Sequence, residues 1–169
     1  MSKVLRKAKR ELLIKTIQEN VSSIKNLNQG GCGIFAHLVG VEFEKRGYTI
    51  KLPILNNLAR DFKGVKHDLN NYINNDVIGD NLLRSSFAHC CISIGRTKFD
   101  SNGTDLDGVY RSIGVHDKNW SQYKLVGNYT TSEMNIALQF GQWNTNYDTN
   151  QNPKMKREIR KAFKKVLGK

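Results

Sequence analysis

The sequence predicts an α+β fold in which a cysteine-bearing helix packs on a small antiparallel sheet, with a basic amphipathic helix at either end. Three observations carry this. Apolar residues recur at helical spacing near both termini and after residue 32. Two short β-rich runs, "FAHCCISIG" and "TKFDSNG", meet across a Gly-Arg turn. A chain of 169 residues with 38% hydrophobic content is large enough to close one core. The chain divides into an N-terminal basic helix (1–27), a central core (28–145), and an Asn-rich connector with a C-terminal basic helix (146–169), all within one compact domain.

In "KVLRKAKRELLIKTIQENVSSIKNL" the set Leu5, Ala8, Leu12, Ile17, Val21, Ile24 and Leu27 predicts an amphipathic helix of about twenty residues. A second helix is expected over 32–46, stopped by Gly47 in the left-handed C-terminal position. The segment "YTIKLPIL" reads as extended, and the Asn-rich stretch 56–83 as one or two short helices with a loop. The two β-rich runs form a hairpin turning at Gly95 and Arg96. A polar loop is expected over "TDLDGVYRSIGVHDKNW", then a helix over 131–141 and the connector "NTNYDTNQN". The final helix carries Met155, Ile159, Ala162, Phe163, Val166 and Leu167 on one face, with Asn152 as cap and Pro153 in its first turn.

Charge is unevenly placed. Residues 1–27 hold seven Lys/Arg against two Glu, and residues 153–169 hold eight against one, so the termini account for the whole formal charge of +12 and the middle is neutral. Such ends read either as solvated faces of packed helices or as a surface for nucleic acid or another polyanion. The candidates on the last helix are Lys154, Lys156, Arg157, Arg160, Lys161, Lys164 and Lys165. No apolar run reaches the roughly 18 residues of a membrane span, and the charged N-terminus does not resemble a signal peptide, so the expectation is a protein made in the cytoplasm. Three cysteines without a C-x-x-C pair suggest reduced thiols. A metal set of Cys32, His89 and Cys91 would lack a fourth ligand and the usual spacing, and no cofactor is expected.

Cys32 stands in "GGCG" where a helix begins. A buried free cysteine is commonly a small apolar core residue. A helix start, however, favours negative charge, and a neighbouring imidazolium would turn a thiol there into a nucleophile. Gly30, Gly31 and Gly33 leave room around it for a sharp turn and for a substrate backbone. Of the four histidines, His37 points about 140° round the same helix, and His67 and His116 sit in polar surroundings. His89 lies in an apolar strand, where an imidazole needs a partner. If two residues join the strands, His89 and Asp100 share a face: Asn102 lies opposite His89, and Asp100 is its diagonal neighbour at about 7 Å. Either residue could orient the imidazole, although "DSNG" is also a turn sequence. Cys90 and Cys91 point to opposite faces of the strand.

The order "GGCG", "AHCCISIG", "KFDSNG" resembles the papain-like cysteine peptidase superfamily in its broad sense, with its transglutaminase-like and bacterial cell-wall peptidase branches, over about residues 28–103. It also resembles short phage and bacterial proteins with a histidine strand followed by an aromatic-Asp-small-x-Gly pattern, here Phe99 to Gly103. The resemblance implies a papain-like core with Cys32 as nucleophile, His89 as general acid and base, and Asp100 as orienter, with Asn102 in reserve. It further implies an oxyanion role for Gln29, which stands only three residues before the cysteine, with Asn28 sharing that role. The implied substrate is a peptide or amide. The alternative expectation is a catalytically idle module acting among virion proteins or on nucleic acid, possessing the same fold and the same basic helices.

Overall fold

The computed structural model describes residues 4–57, 89–114, 123–140 and 147–168, and within them the fold is α+β. Helix α1 spans Lys7–Val21, α2 Cys32–Glu44, α3 Asp105–Ser112, α4 Thr131–Phe140 and α5 Asn152–Leu167; strands are β1 Leu52–Asn57, β2 His89–Cys90, β3 Ile92–Ile94, β4 Thr97–Phe99 and β5 Tyr123–Tyr129. Strands β2, β1 and β5 form an antiparallel sheet in that order, with a register irregularity at Ile54/Leu55, and β3 and β4 form a hairpin. An isolated bridge from Lys51 to Ser93 joins the hairpin to the residue just before β1.

The hairpin has the two-residue turn expected from sequence: Ile94 pairs with Thr97 and Ile92 with Phe99 around Gly95 and Arg96. Alternation then sorts the side chains. Cys90, Ile92 and Phe99 enter the main core with Phe35, Val39 and Phe43 of α2, while Cys91 joins a smaller cluster with Leu55, Val109 and Tyr110.

Both basic helices belong to the main core. Phe163 of α5 is fully buried and meets Phe43 edge-on at 4.8 Å between ring centroids, and Leu13, Ile14, Ile17 and Val21 of α1 are buried in the same cluster. Burial of four such side chains removes enough apolar surface to stabilise α1 by about 6–12 kcal/mol before entropy is counted. Of the expected stripe, Leu5, Ile17, Val21, Ile24 and Leu27 are buried in this core, whereas Ala8 and Leu12 are exposed and Leu13 and Ile14 are buried instead. The stripe Leu13, Ile14, Ile17 and Val21 follows the i, i+1, i+4, i+8 spacing of one helix face, which the Ala8–Leu12 register misses.

Three further expectations change. The polar loop after Gly103 contains α3, whose Leu106, Val109, Tyr110 and Ile113 lie at i, i+3, i+4 and i+7 and pack with Leu55 and Cys91. Strand β5 was not expected, and it pairs along all of β1. Asn152 is the first residue of α5 rather than its cap; its Oδ1 accepts from the Tyr147 hydroxyl at 2.8 Å, and a 3₁₀ turn Thr149–Gln151 leads in. The expected helices over 56–83, and the surroundings of His67 and His116, lie largely or wholly outside the described residues. Among the described residues no helix is long and apolar enough to cross a membrane.

Candidate active site

Cys32 is the first residue of α2, but the helix does not start from open chain. A single π-helical turn, Leu27–Gly31, runs directly into it. The change of direction falls on two residues with positive φ, Asn26 (60°) and Gly30 (124°); at the latter only glycine is unstrained. π-turns of this kind cluster at functional positions because they displace one residue from the regular helical ladder. The other two glycines serve the protein's own packing. A Cβ on Gly31 would stand 2.7 Å from the Tyr147 ring, and one on Gly33 would press on Leu138 and Met134 of α4. The space expected for a substrate backbone at these two positions is therefore filled by side chains of the chain itself.

Cys32 is 7% exposed and His89 is fully buried. The imidazole Nε2 lies 2.9 Å from Asp100 Oδ2. Its other nitrogen, Nδ1, is buried and makes no hydrogen bond, while the ring interacts electrostatically with Cys32. The backbone N–H groups of Cys90 and Gly33 also favour the charged sulfur.

Electrostatics follow from this arrangement. Burial alone would push the Cys32 thiol up, but the charge and hydrogen bond of His89, with the two backbone N–H groups, outweigh it and hold the thiol below its ordinary value. Burial would likewise push the imidazole down, yet the Cys32 and Asp100 charges together raise it to about 9. The two shifts are coupled and act in the same sense, favouring a proton on His89 over one on Cys32. The neighbouring thiols move the other way: burial pushes Cys90 well above its ordinary range and Cys91 up to about 12.

Asp100 does two jobs at once. Its Oδ1 accepts the N–H groups of Asn102 (2.8 Å) and Gly103 (2.6 Å), closing the turn, while Oδ2 accepts from His89 Nε2 and from the Ser112 hydroxyl. The turn reading and the orienter reading of "FDSNG" are thus both true of one carboxylate. Burial would raise its pKa; the His89 contact first, then Ser112 and Gly103, keep it below the usual carboxylate value.

A bracing shell comes from residues that sequence reasoning did not single out for this role. Gln18 of α1 donates to the carbonyls of Asp100 (3.1 Å) and Gly103 (3.0 Å). The Asn28 amide donates to Ser112 Oγ (3.3 Å) and accepts from Ser101 Oγ (2.9 Å). Asn28, expected at an oxyanion position, is committed to this shell. Asn102 is exposed and contributes its backbone N–H, not its side chain, to Asp100. Gln29 lies within the π-turn. His37 is turned away, with Nδ1 on the Thr131 carbonyl at 3.1 Å. Gly103 fits only because it has no Cβ: one would stand 2.2 Å from the Gly108 carbonyl oxygen of α3. The "DSNG" spacing was the available signal for the turn; the Ser112 and Gln18 contacts, reaching across 12 and 82 residues, left none.

Among the described residues no group of three or more His, Cys, Asp or Glu side chains is placed to hold a metal ion. No protein-family model, curated protein or solved structure matches the chain.

Proposed function

We propose that this protein is a cysteine hydrolase with a papain-like core, cleaving a peptide or amide bond through Cys32, His89 and Asp100. The observation that carries the reading is the buried succession of sulfur, imidazole and carboxylate, in which the surroundings lower the thiol and raise the imidazole and so favour the proton on the ring. A thiol of ordinary character placed beside an orienting carboxylate would do nothing; a thiolate paired with an imidazolium is a nucleophile with its acid already loaded.

In the first half-reaction the Cys32 thiolate attacks the acyl carbon, a C–S bond forms, and the carbonyl electron pair moves to oxygen. As that pair returns, the C–N bond breaks and His89 gives its proton to the departing amine. In the second, His89 takes a proton from water as its oxygen attacks the thioester; the C–S bond breaks, the acid leaves, and the thiolate–imidazolium pair is restored. An amine in place of water gives acyl transfer with the same residues. Asp100 keeps Nε2–H pointed at itself throughout, which leaves Nδ1 to face the sulfur and the reacting atoms.

The test is site-resolved alkylation by iodoacetamide at neutral pH, read by peptide mass spectrometry, alongside cleavage of a complex peptide mixture. Cys32 labels far faster than Cys90 or Cys91, His89→Ala removes that advantage, and Cys32→Ala abolishes any cleavage. Equal, slow labelling of all three cysteines defeats the proposal and leaves the idle module among virion proteins or on nucleic acid.

A further inference from the structure

The charge that the candidate active site does not use is concentrated on one helix. Helix α5 carries Lys154, Lys156, Arg157, Arg160, Lys161, Lys164 and Lys165 against the single acid Glu158. Helix α1 looks similar in composition but is partly self-neutralised, with Lys7 on Glu11 and Lys15 on Glu19, both at 3.8 Å. On α5, Arg157 and Lys161 share Glu158, whereas Lys154, Lys156, Lys164 and Lys165 are exposed and form no ion pair among the described residues.

The structure extends this basic face beyond the helix. A cleft of about 670 Å³ separates α5 from the C-terminal end of α2, and Lys45, Arg46, Arg160 and Lys164 line it. At its base the buried Glu42 draws in Arg46 (2.7 Å), Arg160 (3.1 Å) and Lys45 (3.4 Å). One carboxylate thus holds three cations together at a spacing they would otherwise resist, and the cleft keeps an excess of positive charge with Lys164 at its rim.

The packing decides which polyanion this face suits. Membrane-surface helices bind by burying an apolar side in the lipid. The apolar side of α5, Met155, Ile159, Ala162 and Phe163, is buried in the protein core, and Val166 and Leu167 pack partly against it, so no broad apolar side is left to insert. Single-strand binders present aromatic rings for base stacking. The only aromatic residue of α5 is Phe163, which faces inward beneath the Arg46 guanidinium at 4.8 Å, and the one ring lining the cleft, Tyr48, is held edge-on against Phe43 at 6.0 Å. What remains is a set of exposed cations spread over the outward side of a helix of about 24 Å, the length of roughly seven base pairs, which suits neutralisation of a phosphate backbone. We propose that α5, together with the Lys45 edge of α2, is a docking face for the backbone of double-stranded nucleic acid, bound without regard to base sequence.

The face is tested on the full chain by fluorescence anisotropy with a labelled duplex of mixed sequence, from about 50 to about 200 mM salt. Four exposed lysines predict a slope of log K against log salt of about −4, alike for an unrelated duplex. Lys164→Ala with Lys165→Ala makes the slope about 2 units shallower, while the charge-matched pair Lys7→Ala with Lys15→Ala changes it by less than about 1. Circular dichroism checks that both variants fold, as exposed Lys→Ala changes in a helix should allow. Cys32→Ala binds as the wild type does, so failure of the hydrolase proposal leaves this result standing. Equal effects of the two double variants overturn the assignment to α5. Tighter binding of a single strand, or binding of anionic phospholipid vesicles without binding of the duplex, overturns the choice of partner.

Discussion

Replacing Asp100 by asparagine separates the two jobs of this carboxylate. The Oδ1 position keeps an acceptor for the N–H groups of Asn102 and Gly103, while an NH2 takes the place of Oδ2 and meets two donors, His89 Nε2–H and the Ser112 hydroxyl. The Ser112 hydroxyl keeps the Val109 carbonyl as an acceptor at 2.8 Å, whereas the charge-assisted hydrogen bond from His89 is lost, which in a buried setting costs about 2–3 kcal/mol out of the roughly 5–15 that holds a domain together, so Asp100→Asn remains folded. The substitution also changes the chemistry at neutral pH. Without the carboxylate the imidazole is no longer held near 9, and each unit it falls lowers the imidazolium-to-imidazole ratio about tenfold at pH values above its pKa. The buried thiol, deprived of its cation, moves upward. Iodoacetamide labelling of Cys32 at pH 7 is therefore expected to slow about tenfold, and the gap to close above about pH 9, where the wild-type imidazole has also lost its proton. Urea unfolding measured on the same samples separates stability from reactivity. An unchanged labelling rate at pH 7, or a loss of the same size at every pH, refutes the electrostatic reasoning; the latter would mark a displaced sulfur.

Gly103→Ala places a Cβ 2.2 Å from a backbone oxygen that no rotamer change can move, so it costs about 1–3 kcal/mol in urea unfolding and slows Cys32 labelling through the Asp100 turn. Phe163→Ala empties a fully buried site against Phe43 and costs about 3–5 kcal/mol, whereas Lys164→Ala on the exposed face shifts the urea midpoint by less than about 0.5 kcal/mol. The pH dependence of the unfolding midpoint has a worked sign. The raised imidazole contributes stability that is full below 6.5 and lost as pH rises through about 9, whereas the depressed thiol contributes stability that is full above 9.0 and lost as pH falls through its lowered folded value, so just below 9 the two oppose each other and flatten the midpoint. Below 3.8 the midpoint falls, because the unfolded Asp100 carboxylate takes up a proton before the folded one does. A steady decline from 6.5 to 9 in thermal scans would show the imidazole titrating beside a neutral thiol.

How much of this was legible in the sequence depended on whether one short segment carried the information. The closeness of His89 and Asp100 was legible because a two-residue turn determines side-chain parity along the whole hairpin, and Gly95–Arg96 is such a turn. The end of α2 was legible because Gly47, at φ 79°, marks a helix stop by itself. Helix α3 was hidden behind Asp105, Asp107 and Gly108, whose loop-like composition masks the Leu106, Val109, Tyr110 and Ile113 stripe. The face of α1 was legible except at one turn, where apolar residues at 12, 13, 14 and 17 permit two registers and only contact with the core chooses between them. The bracing of Asp100 by Gln18 and Ser112, and of Ser112 by Asn28, joins segments far apart in the chain, and no local pattern encodes such pairs. The glycines around Cys32 were visible as vacant space, but what fills that space, Tyr147 and Met134, comes from distant elements.

The most direct test is the protonation state of one ring. Nitrogen-15 shifts of the His89 imidazole, followed by NMR from pH 5 to pH 10 in the wild type and in Cys32→Ser, report whether the proton sits there. The account predicts a doubly protonated ring at pH 7 that titrates near 9 in the wild type and distinctly lower once the sulfur is replaced. A neutral His89 ring at pH 7, or a titration that Cys32→Ser leaves unmoved, would contradict it.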